Sequence, residues 1–182
     1  MSSFKPHLEV LPQSQKDIWP TLGWTTGHRF VLYGGTAIAL RFGHRASIDF
    51  DFFTDQSLRQ STILQELRKS ETALRVVQDE KNALTMVTEP GNVRLSFFGG
   101  LGMGRVGVQT STQDGVVVIA SSLDLLGTEL KVIMRQAESK DYSDIAQLLQ
   151  SGQSLVQRLG AARSLYESRL RSSGMPSRLN VP

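Results

Sequence analysis

The sequence predicts an α/β protein in which a mixed β-sheet is flanked by helices and followed by a helical C-terminal region. Three observations predict this class: helical and strand-like patterns alternate over residues 13–68, strand-like segments follow one another between residues 74 and 119, and only helical patterns come after residue 121. Closely spaced strands favour antiparallel pairing, because a parallel pair needs a crossover of about a dozen residues or more.

The N-terminal elements are predicted from apolar periodicity and from residues that end helices. Proline cannot continue a helix because it lacks the amide donor, so the first helix should end around Pro20. Gly43 is suited to ending a later helix, because glycine readily takes the left-handed conformation. The predicted elements are a helix over 13–22, a strand over 30–33, a helix over 36–42, a strand over 47–54 and a helix over 58–68.

The second half is predicted to complete the sheet and then to become helical. Ser121 and Asp124 form a capping-box pattern at the start of a helix. We therefore divide the chain into a core over residues 1–120 and a helical region over residues 121–182 that packs on it. The strands are predicted over 74–77, 84–88, 93–98, 105–109 and 116–119, and the helices over 123–137, 141–150 and 155–170.

Composition limits the function classes. The chain has 182 residues, of which 40% are hydrophobic and 20% charged, so it has enough apolar material for a packed domain. No run approaches the roughly 18 apolar residues of a membrane helix, and no signal peptide is evident, so we expect a cytoplasmic protein without a membrane partner. With no cysteine and only three histidines, any metal should be held by carboxylates, which suits magnesium or manganese.

Positive charge is concentrated at the C-terminus. The net charge is +3, and residues 151–182 hold five arginines against one glutamate. This basic tail is typical of a phosphate-contacting or RNA-contacting segment, but equally of a solvated face on a terminal helix.

The segment that indicates chemistry is the strand over Ser47–Thr54. Side chains alternate along a strand, so Asp49 and Asp51 share one face, while Ile48, Phe50 and Phe52 form an apolar face towards the core. Neighbouring carboxylates repel each other unless a cation lies between them. A divalent cation held there would leave open positions for the phosphates of a substrate.

Upstream residues fit the same chemistry. Gly34, Gly35 and Thr36 stand where a strand ends and a helix begins, which suits backbone amides that approach a phosphate. Arg45 and Ser47 precede the aspartates on the same strand parity, and an arginine there is suited to neutralising a triphosphate, with Arg41 as a second candidate. A lone Asp-x-Asp on an edge strand or a lone glycine turn is often only structural, whereas the combination favours nucleotidyl transfer.

These residues resemble the DNA polymerase β-like nucleotidyltransferase superfamily, and more closely the AbiEii/AbiGii toxin family of type IV toxin–antitoxin systems. The resemblance rests on the Gly-Gly pair, on the R-x-S-x-D-x-D pattern from Arg45 to Asp51, and on a helical lysine, Lys131, followed by the KDYSD segment over 140–144. It implies that Asp49 and Asp51 bind Mg²⁺ or Mn²⁺ and that Lys131 contacts NTP phosphates, with Asp141 as a further catalytic acid. The residues expected to hold the NTP phosphates are Gly34, Gly35, Thr36, Arg45 and Ser47. Asp144 is expected to be structural.

One departure from the superfamily pattern leaves open whether the protein is catalytically active. The superfamily often carries a third metal-binding carboxylate on a later strand, where this sequence offers Ser96. Our first hypothesis is the transfer of an NMP from an NTP to an acceptor. The acceptor would be a tRNA 3′ end, a protein or a small molecule, and the protein's partner would be a cognate antitoxin. The alternative is a catalytically reduced module that binds nucleotide or protein, and the third hypothesis is a purely structural domain.

Overall fold

The computed structural model describes residues 2–70, 72–100, 105–133 and 138–150. The predicted helix over 155–170, the end of the helix over 123–137 and the basic tail lie outside these residues. The strands are β1 Ser3–Phe4, β2 Val31–Tyr33, β3 Asp49–Phe53, β4 Ala73–Glu80, β5 Ala83–Glu89, β6 Arg94–Phe98, β7 Thr110–Thr112 and β8 Val118–Ile119. The helices are α1 Gln13–Ile18, α2 Trp24–Gly27, α3 Gly34–Phe42, α4 Gln60–Arg68, α5 Ser122–Ile133 and α6 Ser139–Gln150, with 3₁₀ turns over Leu8–Val10 and Trp19–Gly23.

The described strands form one mixed sheet in the order β1-β7-β8-β2-β3-β6-β5-β4. The sequential pairs β4–β5, β5–β6 and β7–β8 are antiparallel, which confirms the expectation from their close spacing. The parallel pairs join strands that are distant in sequence, namely β3 with β6, β2 with β8 and β1 with β7. The predicted mixed sheet flanked by helices is therefore confirmed, and β3 lies in its interior.

One face of β3 belongs to the hydrophobic core, as predicted. Phe50 and Phe52 are fully buried, and Phe50 packs against Trp19 with ring centroids 6.1 Å apart. The prediction was wrong for Ile48, which is 63% exposed. The strand begins only at Asp49, so the alternation that should have turned Ile48 inwards does not extend to it.

Helix α3 begins directly after β2 and ends as predicted. Gly43 has φ +67°, and its amide donates to the carbonyl of Ala39 at 2.8 Å, which is the left-handed helix end expected from glycine. The Arg41 guanidinium lies 4.9 Å above the Phe4 ring and donates to the Ala120 carbonyl at 3.2 Å. Arg41 therefore takes part in packing α3 against the N-terminal strand.

The start of α5 confirms the predicted capping pattern. The Ser121 hydroxyl accepts from the Asp124 amide at 3.1 Å and donates to the Asp124 carboxylate at 2.7 Å. Asp124 is fully buried, and its carboxylate also accepts from the Val106 amide at 2.8 Å. The segment over 105–109 is held by this contact and is not the predicted strand; the strand is Thr110–Thr112.

No helix in the described part of the chain is long and apolar enough to cross a membrane. The division of the chain at residue 120 stays a prediction.

Candidate active site

The face of β3 opposite the core carries Asp49, Asp51 and Phe53. In the parallel register with β6, Asp49 lies beside Arg94, Asp51 beside Ser96 and Phe53 beside Phe98. On the other side, Tyr33 of β2 pairs with Asp51. The two aspartates predicted as metal ligands thus project together from an interior strand whose opposite side is anchored in the core.

The first glycine of the predicted phosphate turn touches one of these carboxylates. Gly34 has φ +71°, a conformation that costs other residues roughly 1–2 kcal/mol. A Cβ atom at this position would stand 3.0 Å from Oδ2 of Asp51. The absence of a side chain at residue 34 therefore lets the beginning of α3 approach the Asp51 carboxylate.

Thr36 and Ser47 fix the backbone at the start of β3. The Thr36 hydroxyl is 1% exposed; it donates to the carbonyl oxygen of Asp49 and shares a hydrogen bond of 2.8 Å with the Ser47 hydroxyl. Both residues were predicted to hold phosphates. Their contacts in this structure position Asp49 relative to α3.

Arg45 lies against the second glycine and is bound by α6. Its Nε donates to Oδ1 of Asp144 at 2.6 Å, a second guanidinium nitrogen donates to Oδ2, and His44 Nε2 lies 2.7 Å from Oδ1. A Cβ atom on Gly35 would collide with the guanidinium, so a larger residue there would displace Arg45 from its present position. Asp144 is 1% exposed, and it fastens α6 to the segment that leads into β3.

The start of α6 places a second buried carboxylate and an exposed lysine near the site. Asp141 is 4% exposed and accepts from the Glu138 amide at 2.8 Å, which caps the helix. Lys140 pairs with Glu138 at 3.0 Å, and its pKa is raised first by this hydrogen bond and further by Asp141 and Asp49. Lys140 therefore contributes positive charge beside the carboxylates of β3.

Asp51 is electrostatically unusual. Its pKa is raised to about 6, mainly by burial and in part by the nearby Asp49, while a hydrogen bond from Ser96 opposes the shift. A divalent cation bound there would offset both the cost of burying the Asp51 carboxylate and its repulsion from Asp49. Among the described residues, no group of three or more His, Asp or Glu side chains is placed to hold a metal ion.

Sequence reasoning missed Glu129. This residue of α5 is 5% exposed, and burial raises its pKa to about 7, with Asp144, Asp141 and Asp51 adding to the shift. Glu129 is therefore an α5 side chain that interacts electrostatically with the carboxylates around β3. Lys131, two residues later on α5, is half-buried, and its contact with NTP phosphates stays a prediction. The sequence did contain a signal for Glu129, because this acid shares the buried stripe of α5 with Leu125 and Leu126.

A cleft of about 340 Å³ lies elsewhere, beside Thr54 and Ile63, and contains neither aspartate of β3. The chemistry indicated by the carboxylates is thus not in this cleft.

A mixed sheet whose interior strand presents two carboxylates to a glycine turn and a following helix defines a nucleotidyltransferase-like protein. The family model described as nucleotidyl transferase AbiEii toxin, type IV toxin–antitoxin system, matches residues 25–181, and the chain belongs to this family. The resemblance drawn from the sequence motifs is confirmed. The match spans every residue predicted for the site.

An uncharacterized protein of Aquifex aeolicus (strain VF5) is a curated relative of the chain. The two are 28% identical over 118 residues, which covers 64% of this chain and 55% of that protein. The chain thus spans about half the length of this relative.

Proposed function

We propose that this protein is a magnesium-dependent nucleotidyltransferase that moves an NMP from an NTP to an acceptor. The observation that supports the proposal best is the contact geometry of Gly34 and Asp51: a left-handed glycine opens a helix directly against a carboxylate whose pKa is raised to about 6. Such a carboxylate is costly in a fold unless a cation uses it.

Asp49 and Asp51 would hold the metal ion. Bound there, Mg²⁺ or Mn²⁺ would neutralise the phosphates and stabilise the negative charge that develops during transfer. The turn at Gly34 and Gly35 presents the N-terminal end of α3 to the same phosphates. Thr36, Ser47 and Arg45 would support this arrangement, since their contacts fix Asp49 and back Gly35.

In the proposed reaction an acceptor hydroxyl oxygen attacks the α-phosphorus, the bond to the β-phosphate breaks, and diphosphate leaves with the negative charge. The proton of the hydroxyl goes to a carboxylate. Asp141 is the acid implied by the family resemblance, and Glu129 is the second buried carboxylate near Asp51. Lys131 is proposed to contact the NTP phosphates, and Lys140 adds positive charge at the same end.

Membership of a toxin family supports two further proposals. The acceptor is the 3′ end of a tRNA, a protein hydroxyl or a small molecule, and a cognate antitoxin restrains the activity.

The test incubates the purified protein with each α-labelled NTP, with Mg²⁺ or Mn²⁺, and with total cellular tRNA. Asp51→Asn is the site variant, and Asp79→Asn, an exposed aspartate on β4, is the matched control. We expect label on RNA or on protein with the wild type and the control, and a loss of at least about a thousandfold with Asp51→Asn. Equal labelling by all three proteins would contradict the proposal.

Ser96 favours a second candidate function. It occupies the position beside Asp51 where a third carboxylate would reach the same metal, and it supplies only a hydroxyl. A catalytically reduced module would bind NTP in a metal-dependent way and transfer nothing to any acceptor. The variant Ser96→Asp distinguishes the two: if it creates transfer where the wild type has none, the reduced module is correct.

A further inference from the structure

The carboxylate face of the sheet continues into an aromatic surface. Phe53 and Phe98 lie beside each other in the β3–β6 register, with ring centroids 4.8 Å apart and planes inclined by 27°. Tyr33 meets Phe53 edge-on at 5.1 Å. Phe53 and Phe98, which we call the aromatic pair, are both half-buried, whereas Phe50, Phe52 and Phe97 on the core face are fully buried.

The residues on this face are ordered by polarity along β3 and β6. Asp49 with Arg94 comes first, Asp51 with Ser96 second, and the aromatic pair third. With about 3.3 Å per residue, the pair lies about 7 Å beyond Asp51. This distance is comparable to the length of one ribose.

The glycine turn lies in the opposite direction from Asp51. Because β2 runs antiparallel to β3, Val31 is beside Phe53 and Tyr33 beside Asp51, so the chain passes the aromatic end first and reaches Gly34 at the carboxylate end. A ligand bound with its phosphates at the turn therefore has its other end directed towards the aromatic pair.

Polar groups border the aromatic pair. Asp55, two residues beyond Phe53, lies 3.8 Å from Arg105 and 3.9 Å from Arg29, and the charge of Arg105 also acts on Tyr33. The neighbouring amide of Val106 is fixed by the buried carboxylate of Asp124. An arginine and an aspartate therefore lie near the end of β3 that carries the half-buried rings, a combination suited to a flat heterocycle with polar edges.

We propose that the aromatic pair stacks the base of the NTP, with Asp55 and Arg105 beside the base edge. This inference rests on the proposed function, because it uses the phosphate position at Asp49 and Asp51 to orient the nucleotide. Stacking on an aromatic side chain tolerates every base, so the pair supplies affinity and the polar border supplies preference among bases.

The experiment uses titration calorimetry with Mg²⁺ to measure the binding of five ligands, namely the four NTPs and inorganic tripolyphosphate. Phe53→Leu and Phe98→Leu remove the ring and retain an apolar side chain. Phe42→Leu, a half-buried phenylalanine at the end of α3, is the matched control. We expect each pair variant to weaken NTP binding about tenfold, to leave tripolyphosphate binding unchanged, and to differ from Phe42→Leu in this respect.

Two results overturn the inference. One is equal weakening of NTP and tripolyphosphate by the pair variants, which would make the rings structural. The other is NTP affinity that does not change, or that never exceeds tripolyphosphate affinity in the wild type, which would place the base elsewhere. If the wild type binds none of these ligands and Asp51→Asn changes nothing, the proposed function itself is wrong and the inference fails with it.

Discussion

Asp144 and Asp51 are two carboxylates withdrawn from solvent within one site, and their surroundings differ. Asp144 accepts from both nitrogens of the Arg45 fork and contacts His44, so positive charge matches its burial. Asp51 has a hydroxyl from Ser96 and a second carboxylate nearby, while Arg94 and Lys140 act on it only through longer-range attraction. The fold satisfies the first carboxylate internally and leaves the second available to a ligand. The first should therefore serve stability and the second function.

The largest expected effect is at the satisfied carboxylate. Asp144→Ala leaves the Arg45 guanidinium and His44 partly buried without their partner, so we expect the free energy of unfolding to fall by about 3–5 kcal/mol. Urea unfolding at pH 7 measures this change. The control is Glu89→Ala, which breaks an exposed pair with Arg75 and should cost at most about 1 kcal/mol. Equal losses at the two sites would remove the distinction between Asp144 and an ordinary surface acid.

Glu129 gives a second test of the difference between Asp144 and Asp51, because both aspartates act on its pKa. Its pKa rises from 4.5 to about 7 on folding, so between these values the folded state holds a proton that the unfolded state has lost. Stability should therefore fall as pH rises from 4.5 to 7, and Glu129→Gln should remove up to about 3 kcal/mol of that fall.

Unfolding of the wild type and Glu129→Gln is measured at pH 4.5 and pH 7.5. We expect no difference at the lower pH and a more stable variant at the higher pH. A variant that is less stable at pH 7.5 would show that the charged carboxylate of Glu129 is paired, like that of Asp144.

The same sign applies to Asp51, with a smaller effect because this side chain is only partly buried. Its pKa rises from 3.8 to about 6, so its contribution is lost as pH rises through this window. At pH 8 with a chelator present, Asp51→Asn should raise the free energy of unfolding by about 2 kcal/mol. Added Mg²⁺ should stabilise the wild type and leave the variant unchanged. Stabilisation of both proteins by Mg²⁺ would mean that the ion binds elsewhere.

The sequence was sufficient to predict the elements that depend on local patterns. The interior strand with Asp49 and Asp51, the helix end at Gly43 and the cap at Ser121 all follow from alternation or from backbone preferences within a few residues. The family resemblance then came from motif spacing alone.

The missed features depend on contacts between distant residues. The effect of Asp144, Asp141 and Asp51 on the pKa of Glu129 arises from the packing of α5 and α6 near β3, which the apolar stripe of α5 alone does not predict. The binding of Arg45 by Asp144 joins residues 99 positions apart. The aromatic pair arises from the parallel register of β3 and β6, which local alternation does not fix.

The smallest expected effect is the cost of replacing two glycines, and it distinguishes backbone strain from a role in metal binding. Gly34 and Gly43 both have positive φ, so replacing either with alanine should cost about 1 kcal/mol of unfolding free energy. The new Cβ at residue 43 meets the half-exposed His7 ring, which can turn away, whereas the one at residue 34 stands 3.0 Å from Oδ2 of Asp51. Gly34→Ala should therefore also weaken the Mg²⁺-dependent stabilisation, and Gly43→Ala should retain it. If both variants keep the full response to Mg²⁺, the contact between Gly34 and Asp51 contributes only to packing. Asp51 then binds the ion without any contribution from the glycine turn.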